Sequence, residues 1–364
     1  MERTLIKELR NFIGKEVKIQ GWLQTLRDQK KMQFLVIRDH TASAQVVFEK
    51  AAGEEMAAKI SALTVESAVT VTGVVIDNPV VKLNGLEIQL KDVTVENLAG
   101  SPLPLDPFAE ALPEMDYRLD WRYLDLRRPQ TAIIFKVQTT AEIAMREYWA
   151  KQNFQEMHSP RIMGTPSESG AELFEVQYFE RKAYLSQSPQ FYKQMAMSAG
   201  YDKVFEIGPV FRADPSFTSR HMTEFTGVDV EISWVDSHED VMKFHEEWLQ
   251  YVYKRVKEVH GDEIRELLGL EIVVPETPFP RLTMSEAYAI LKAQDYALPP
   301  ERKGDIDPGG ERLLGKYVKE KYGNDFVFVK DWPVTVRPFY HMHMEDNPNL
   351  TKSFDLLGSG LEIT

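Results

Sequence analysis

The sequence predicts an α+β protein: a small five-stranded β-barrel, then a larger domain in which an antiparallel sheet is flanked by helices. Three observations carry that prediction. Five β-rich runs crowd into the first 98 residues, each closed by turn residues. Pro102, Pro104 and Pro107 then interrupt the chain, and prolines so close together end a helix and disfavour a central strand. Beyond residue 129, helical periodicity alternates with strands of antiparallel type and lacks the regular rhythm of a doubly wound sheet. Three regions are therefore expected: a barrel over 1–98, a hinge over 99–128 and a larger domain over 129–364.

Taken in order, an opening helix precedes strands expected at 16–22, 33–38, 44–48, 67–76 and 86–95. Gly21, Gly73, Asn78-Pro79 and Asn84-Gly85 punctuate them. A helix-like run over 51–63 separates the third strand from the fourth, which is the order of an OB-fold barrel. A five-stranded barrel of another kind fits the same pattern. In the larger domain Ile134, Val137, Ile143, Ala144 and Tyr148 recur at helical spacing, predicting a long amphipathic helix over 131–152. An extended run over 154–160 ends in proline. A β-rich 184–187, a helix over 190–199, a strand over 204–209, a hairpin over 211–226 and a long charged helix over 236–268 complete the reading. No GxGxxG or GxxxxGK[ST] occurs, so neither a dinucleotide fold nor a P-loop is supported.

Composition bounds the function. There is no cysteine, which excludes disulfides and thiol-ligated zinc. No run of 18 apolar residues exists, so no membrane span is expected. The first residues lack the apolar core of a secretory signal, which favours the cytoplasm. Net charge is −13, unusual for a nucleic-acid binder, but its distribution is uneven. Residues 1–98 carry 13 charges of each sign, and residues 1–50 hold ten basic against six acidic. The basic surplus thus sits at the N-terminus, where it can meet phosphates.

Several constellations bear chemistry. Phe211-Arg212-Ala213-Asp214 ends a strand; after a turn-rich loop, Arg220-His221-Met222 and Glu224-Phe225 open the next. Cations for phosphates, a ring for a base and an acid for an exocyclic amine suit a nucleotide; a solvated surface hairpin fits the same residue types. Ser186-Gln187-Ser188-Pro189-Gln190-Phe191-Tyr192-Lys193 ends a strand and opens a helix, placing Lys193 near free backbone N–H groups that attract a carboxylate. A solvated lysine on a helical turn is the alternative. The small residues of 167–174 permit a mobile loop from which Glu168 reaches an ammonium group, or simply a surface loop. Asp229 and Glu231 share side-chain parity, which suits a pocket wall or a solvated sheet face. In the barrel, Phe34 is a stacking platform or a core residue.

The hairpin sequence FRADPSFTSRHMTEFTGVDVEIS resembles motif 2 of class II aminoacyl-tRNA synthetases, in the form carried by aspartyl-tRNA synthetases of the archaeal/eukaryotic-like subtype. The resemblance covers nearly the whole chain. It implies ATP-dependent activation of L-aspartate and transfer to tRNA(Asp), by an OB-fold anticodon-binding domain and a class II catalytic domain. By that resemblance Arg212 is catalytic, contacting the α-phosphate and the aspartate. Asp214 lies near the adenine amine, where relatives usually carry glutamate. Arg220 and His221 face the outer phosphates, Met222 belongs with the ATP contacts and Phe225 stacks on adenine.

QSPQ-x-YKQ resembles the segment holding the substrate side chain, so Lys193 meets its carboxylate and Gln190 its backbone groups. The stretch around Gly170 and Glu172-Leu173-Phe174 resembles a lid in which Glu168 faces the α-ammonium; Ser167 and Ser169 are departures. Asp229 lines the amino-acid pocket. The helix and strand ending at Pro160 resemble motif 1, implying a homodimer, although a core helix leading to an edge strand looks identical. Arg27, Phe34, Gln45 and Glu87 match anticodon contacts. Gln24 stands where discriminating relatives often carry tryptophan, so tRNA(Asn) is a second expected substrate.

Residues 351–364 resemble the strand entering motif 3, in which Glu362 matches a Mg²⁺ ligand. Relatives continue through an S-G-G-Q-R segment and a glycine-rich helix start that carry two further arginines. The chain reaches Thr364 before them, so it reads as C-terminally incomplete, with motif 3 mostly absent. Two rivals remain. An asparaginyl-tRNA synthetase is disfavoured by Lys193. A catalytically inactive paralogue that binds tRNA is favoured by the missing end and opposed by the intact cations.

Overall fold

The computed structural model describes residues 1–166, 173–213, 222–299 and 304–364. They divide into two compact units, Met1–Arg128 and Pro129–Thr364.

The first unit is built on strands β1 (Glu16–Asp28), β2 (Met32–Arg38) and β3 (Ser43–Glu49), helix α1 (Glu54–Ser61), and strands β4 (Ala68–Asp77) and β5 (Leu86–Asn97). The strands close into a barrel in the order β1-β2-β3-β5-β4. Only the β3–β5 pair is parallel. Closure leaves no free edge. Alternation along each strand decides what is inside: Leu35, Ile37, Val46, Val71 and Ile88 are buried, while Phe34, Gln45 and Glu87, on the other parity, are half-exposed. Gly73 sits where the β4–β5 register shifts. A Cβ there would collide with the Gln89 carbonyl oxygen, so glycine permits the tight coiling that closes the barrel. Helix α1 adds Ala57 and Ile60 to the core. The buried Gln33 amide fixes it by donating to the Ala57 carbonyl at 3.0 Å and the Ser61 hydroxyl at 2.9 Å.

Two sequence expectations are refined here. The opening helix is a 3₁₀ helix over Ile6–Phe12; Ile6 and Leu9, three apart, both reach the core, as a threefold turn requires. The stretch read as a hinge carries helices α2 (Met115–Asp120) and α3 (Arg122–Asp125). Its end is held by charge. The buried Glu66 carboxylate accepts from both Arg38 terminal nitrogens at 3.0 Å and from Arg127 at 2.7 Å. Arg127 also covers the Trp22 ring at 4.9 Å. A buried carboxylate needs such partners, and proline counting does not reveal them.

The second unit begins with α4 (Pro129–Lys151), β6 (Gln155–Glu156), β7 (Ile162–Met163), β8 (Glu175–Tyr178), β9 (Arg181–Leu185) and α5 (Gln190–Ser198). The hairpin β10 (Lys203–Phe211) and β11 (Glu224–Ile232) and the long helix α6 (His238–Leu268) follow. It ends with β12 (Arg281–Thr283), α7 (Met284–Ala293), α8 (Pro308–Tyr322), β13 (Phe326–Lys330), β14 (Phe354–Gly358) and β15 (Leu361–Glu362). Three sheets form, in the orders β11-β10-β6, β12-β13-β14-β15 and β7-β9-β8. All pairs are antiparallel except β10–β6 and β12–β13.

Helix α6 starts at a capping box made by Ser237 and Asp240 and stops at Gly269, whose φ of 66° is left-handed. It packs on α4 through an aromatic core in which Trp149 meets Trp248 at 5.4 Å and Phe205 at 4.7 Å. Phe205, Ile207 and Val230 belong to that core. One face of the β10–β11 hairpin is therefore spent on the helices, and the other is left for chemistry.

His245 of α6 is half-buried against this core, stacked on Trp248 at 5.1 Å. Burial pushes its pKa down to about 4. The unfolded chain takes up this proton below about pH 6.5, whereas the folded chain refuses it until about pH 4, so this group lowers stability as pH falls through that window. A His245→Phe variant is expected to be more stable than the native chain at pH 4.5 by on the order of 3 kcal/mol relative to the difference at pH 7.5. Denaturant unfolding of both proteins at the two pH values checks this.

Candidate active site

The β10–β11 ladder pairs Glu206 with Asp229, Gly208 with Gly227, Val204 with Glu231 and Val210 with Phe225. Paired residues project to the same side of a sheet, and so do residues two apart. Glu206, Asp229, Glu231 and Phe225 consequently share the face turned away from α4 and α6.

Onto that face comes Lys193, from the first turn of α5 and buried. Its ammonium lies 3.1 Å from Asp229 Oδ1, 3.3 Å from the Val230 carbonyl oxygen and 3.5 Å from Glu231 Oε2. The solvated alternative for Lys193 is thereby removed. The turn before α5 is shaped by the Ser186 hydroxyl donating to the Ser188 carbonyl at 2.9 Å, and by the Gln190 amide donating to Ser188 Oγ at 3.3 Å. Burial holds the Glu231 carboxyl above its ordinary range, Lys193 opposes that shift and Asp229 adds to it. Two carboxylates against one cation leave this pocket short of positive charge, a setting that suits an incoming ammonium, while Lys193 is the cation available to a carboxylate.

At the open end of the hairpin the Arg212 amide donates to the Thr223 carbonyl at 3.0 Å, and the exposed guanidinium lies 5.5 Å from the Phe225 ring centre. Met222 is exposed beside them. Glu168, Asp214, Arg220 and His221 lie outside the described residues. Pro160 is exposed between β6 and β7.

Glu362 stands on a different sheet, in β15. It pairs with Leu357, so Asp355, two residues from Leu357, shares its face diagonally. Both line a cavity of about 420 Å³ with Asp305, Glu311, Trp332 and Arg337. Arg337 donates to Asp355 Oδ1 at 2.6 Å and covers the Trp332 ring at 4.1 Å. Asp355 lines this cavity and is not among the residues singled out from the sequence; its place in the Phe354–Gly358 strand, on the face of Glu362, was the available signal. Among the described residues no group of three or more His, Asp or Glu is arranged to hold a metal ion. Two carboxylates are nevertheless what Mg²⁺ needs from protein when phosphates and water complete its shell.

In the barrel, Arg27 covers the Phe34 ring at 5.3 Å and donates to Gln45 at 3.5 Å, and Gln45 donates to Glu87 at 3.3 Å. The four residues form one continuous outward patch across β2, β1, β3 and β5, and Phe34 belongs to it, not to the core. The β1–β2 register skips Gln24. This bulged residue accepts from the Ser43 hydroxyl at 3.1 Å.

Residues 114–364 match the tRNA synthetases class II (D, K and N), and residues 17–96 match the OB-fold nucleic acid binding domain. The chain belongs to the class II tRNA synthetases. Among curated relatives, the aspartate–tRNA(Asp) ligase of Pyrococcus abyssi is 42% identical over 352 residues, covering 96% of this chain and 80% of that protein. The aspartate–tRNA(Asp/Asn) ligase of Methanosarcina barkeri is 40% identical over 356 residues, with 96% and 78% covered. Among solved structures, the asparaginyl-tRNA synthetase of Pyrococcus horikoshii complexed with asparaginyl-adenylate superposes with a TM-score of 0.89 at 31% identity, over 99% of this chain and 81% of that one. The aspartyl-tRNA synthetase of Entamoeba histolytica gives 0.85 at 30% identity, over 100% and 77%. The α+β class, the OB-fold barrel and the class II sheet domain expected from sequence are those observed.

Burial pushes Asp355 up to about 7, against the opposing pull of Arg337. The folded chain then keeps a proton that the unfolded chain loses above about pH 4, so this group lowers stability as pH rises from 4 to 7. Asp355→Asn is expected to remove that loss, on the order of 4 kcal/mol. Denaturant unfolding of the variant and the native chain at pH 4.5 and pH 8 reads it.

Proposed function

We propose that this chain is an aspartate–tRNA ligase, joining L-aspartate and ATP into aspartyl-adenylate with release of pyrophosphate and then passing the aspartyl group to the 3′ end of tRNA(Asp). The observation that carries the choice of amino acid is Lys193. It is a buried cation at a helix start with two carboxylates around it, and it offers a substrate carboxylate a charge-assisted hydrogen bond that a neutral amide matches poorly. Asp229 then takes the substrate ammonium, with Gln190 and Glu168 beside it. These aspartate contacts separate this reading from an asparaginyl enzyme.

Adenylate formation builds negative charge on the α-phosphate as the substrate carboxylate attacks it, and a fixed cation there lowers the barrier. Arg212 has that role, with Phe225 under the adenine, Asp214 at its amine, Met222 alongside, and Arg220 and His221 toward the outer phosphates. Glu362 and Asp355 would hold a Mg²⁺ ion, which supplies neutralisation of phosphate charge. The intact cations Lys193 and Arg212 weigh against an inactive paralogue.

The Arg27–Phe34–Gln45–Glu87 patch reads single-stranded anticodon bases by stacking and edge contacts. Gln24 on its bulge, and the Asp/Asn specificity in the name of the Methanosarcina relative, support tRNA(Asn) as a second substrate. Homodimerisation through Pro160 is supported by the exposed Ile162 two residues beyond it and by the exposed Ile134 and Ile143 of α4. The substrates place the reaction in the cytoplasm.

Aspartate-dependent ATP–pyrophosphate exchange by the full-length protein is expected, with none for asparagine. Lys193→Met should raise the aspartate KM by about a hundredfold or more, the loss of a buried charge-assisted contact. Exchange with asparagine alone would overturn the substrate assignment. Phe34→Ala should weaken tRNA(Asp) binding roughly tenfold in a filter-binding assay without changing exchange. Charging of both tRNA(Asp) and tRNA(Asn) transcripts tests the wider tRNA use, and charging of tRNA(Asp) alone would sink it.

A further inference from the structure

Beside the Lys193–Asp229 pair, on the same sheet face, lies a second buried ion pair that the reading above leaves without a role. Glu206 is only 2% exposed. Its Oε1 accepts from the Ser159 amide at 2.9 Å, the Ser159 hydroxyl at 3.1 Å and the Arg161 guanidinium. Those donors flank Pro160. Glu206 is also the direct cross-strand partner of Asp229. Two residues on, Gly208 lies under the same guanidinium, and a Cβ at Gly208 would collide with it. The absence of a side chain there is what lets the Arg161 guanidinium approach β10.

We propose that Glu206 is a positioning residue for aspartate, locking the 159–161 segment onto β10 and thereby fixing the height of Asp229 and Lys193 in the amino-acid pocket. A buried carboxylate stripped of its donors is strongly unfavourable, so Glu206 moves with 159–161 or not at all. It cannot move alone along β10, because that strand is tied to β11 through nine consecutive register pairs. Any displacement is passed across the ladder to Asp229, whose carboxylate sits 3.1 Å from the Lys193 ammonium. ATP meets Arg212 and Phe225 at the far end of the hairpin, past Gly208 and Gly227, and is less exposed to the shift. The expected consequence is selective: aspartate binding depends on Glu206, and ATP binding does not.

This inference rests on the aspartate–tRNA ligase reading, and one experiment separates the two. ATP–pyrophosphate exchange is measured for the native protein, Glu206→Gln, Gly208→Ala and Arg161→Lys. Glu206→Gln keeps the bond from the Ser159 amide but loses the ion pair, and should raise the aspartate KM about tenfold while the ATP KM stays within about twofold. Gly208→Ala removes no charged group and displaces only the Arg161 guanidinium, so it should show the same aspartate-selective rise. Arg161→Lys retains the charge and should recover most of the native KM. Equal changes in both KM values, or a fall in thermal midpoint with unchanged KM for aspartate, would overturn the positioning role. Absence of aspartate-dependent exchange in the native protein would instead overturn the functional reading beneath it. Should Glu206→Gln fail to fold, Gly208→Ala and Arg161→Lys still decide the matter.

Discussion

The second unit depends on a division of labour across the β10–β11 ladder. Strand periodicity of two gives this hairpin two unlike faces. Phe205, Ile207 and Val230 sink into the aromatic core beneath α4 and α6, while Glu206, Asp229 and Glu231 stand opposite. The apolar face anchors the ladder, and the anchored ladder makes it tolerable to bury Lys193 against carboxylates, because fixed partners repay part of its desolvation. A slip of one residue would put glutamates into the aromatic core and phenylalanine into the pocket. Register, helix packing and site chemistry are thus one constraint.

What the sequence disclosed follows from how local each signal is. The barrel strands were legible because β-rich runs and their turns lie within short windows; which of Phe34-Leu35-Val36-Ile37 face inward was not, since all four letters are apolar. Helices over 131–152, 190–199 and 236–268 correspond to α4, α5 and α6 for the same reason. The region between 270 and 350 was silent. There the β12–β13 pairing is parallel and joins residues far apart in sequence, and α8 opens on Pro308-Gly309-Gly310, which reads as a loop until Asp307 is seen accepting from the Gly310 amide.

Among site residues the same rule holds. Lys193, Arg212 and Phe225 could be nominated as candidates because they sit in a recognisable run. Asp355 and Arg337 could not, since 18 residues separate two groups that meet at 2.6 Å. Glu206 was invisible for a different reason: its partners Ser159 and Arg161 come from the connection between β6 and β7, and a lone glutamate within a β-run looks solvated.

Two titrating groups of the second unit, His245 and Asp355, also have a joint consequence. His245 packs against the rings of Phe328 and Phe354 at 6.2 Å and 6.5 Å, and Phe354 is the neighbour of Asp355 in β14. Between pH 4 and 7 the histidine declines a proton that its unfolded form would accept, while the aspartate keeps one that its unfolded form would release. Their proton ledgers nearly cancel, so folding of this unit exchanges few protons with solvent on their account. The two groups therefore tilt stability in opposite directions across the acid range, and the helix–sheet core that desolvates both makes each offset the other.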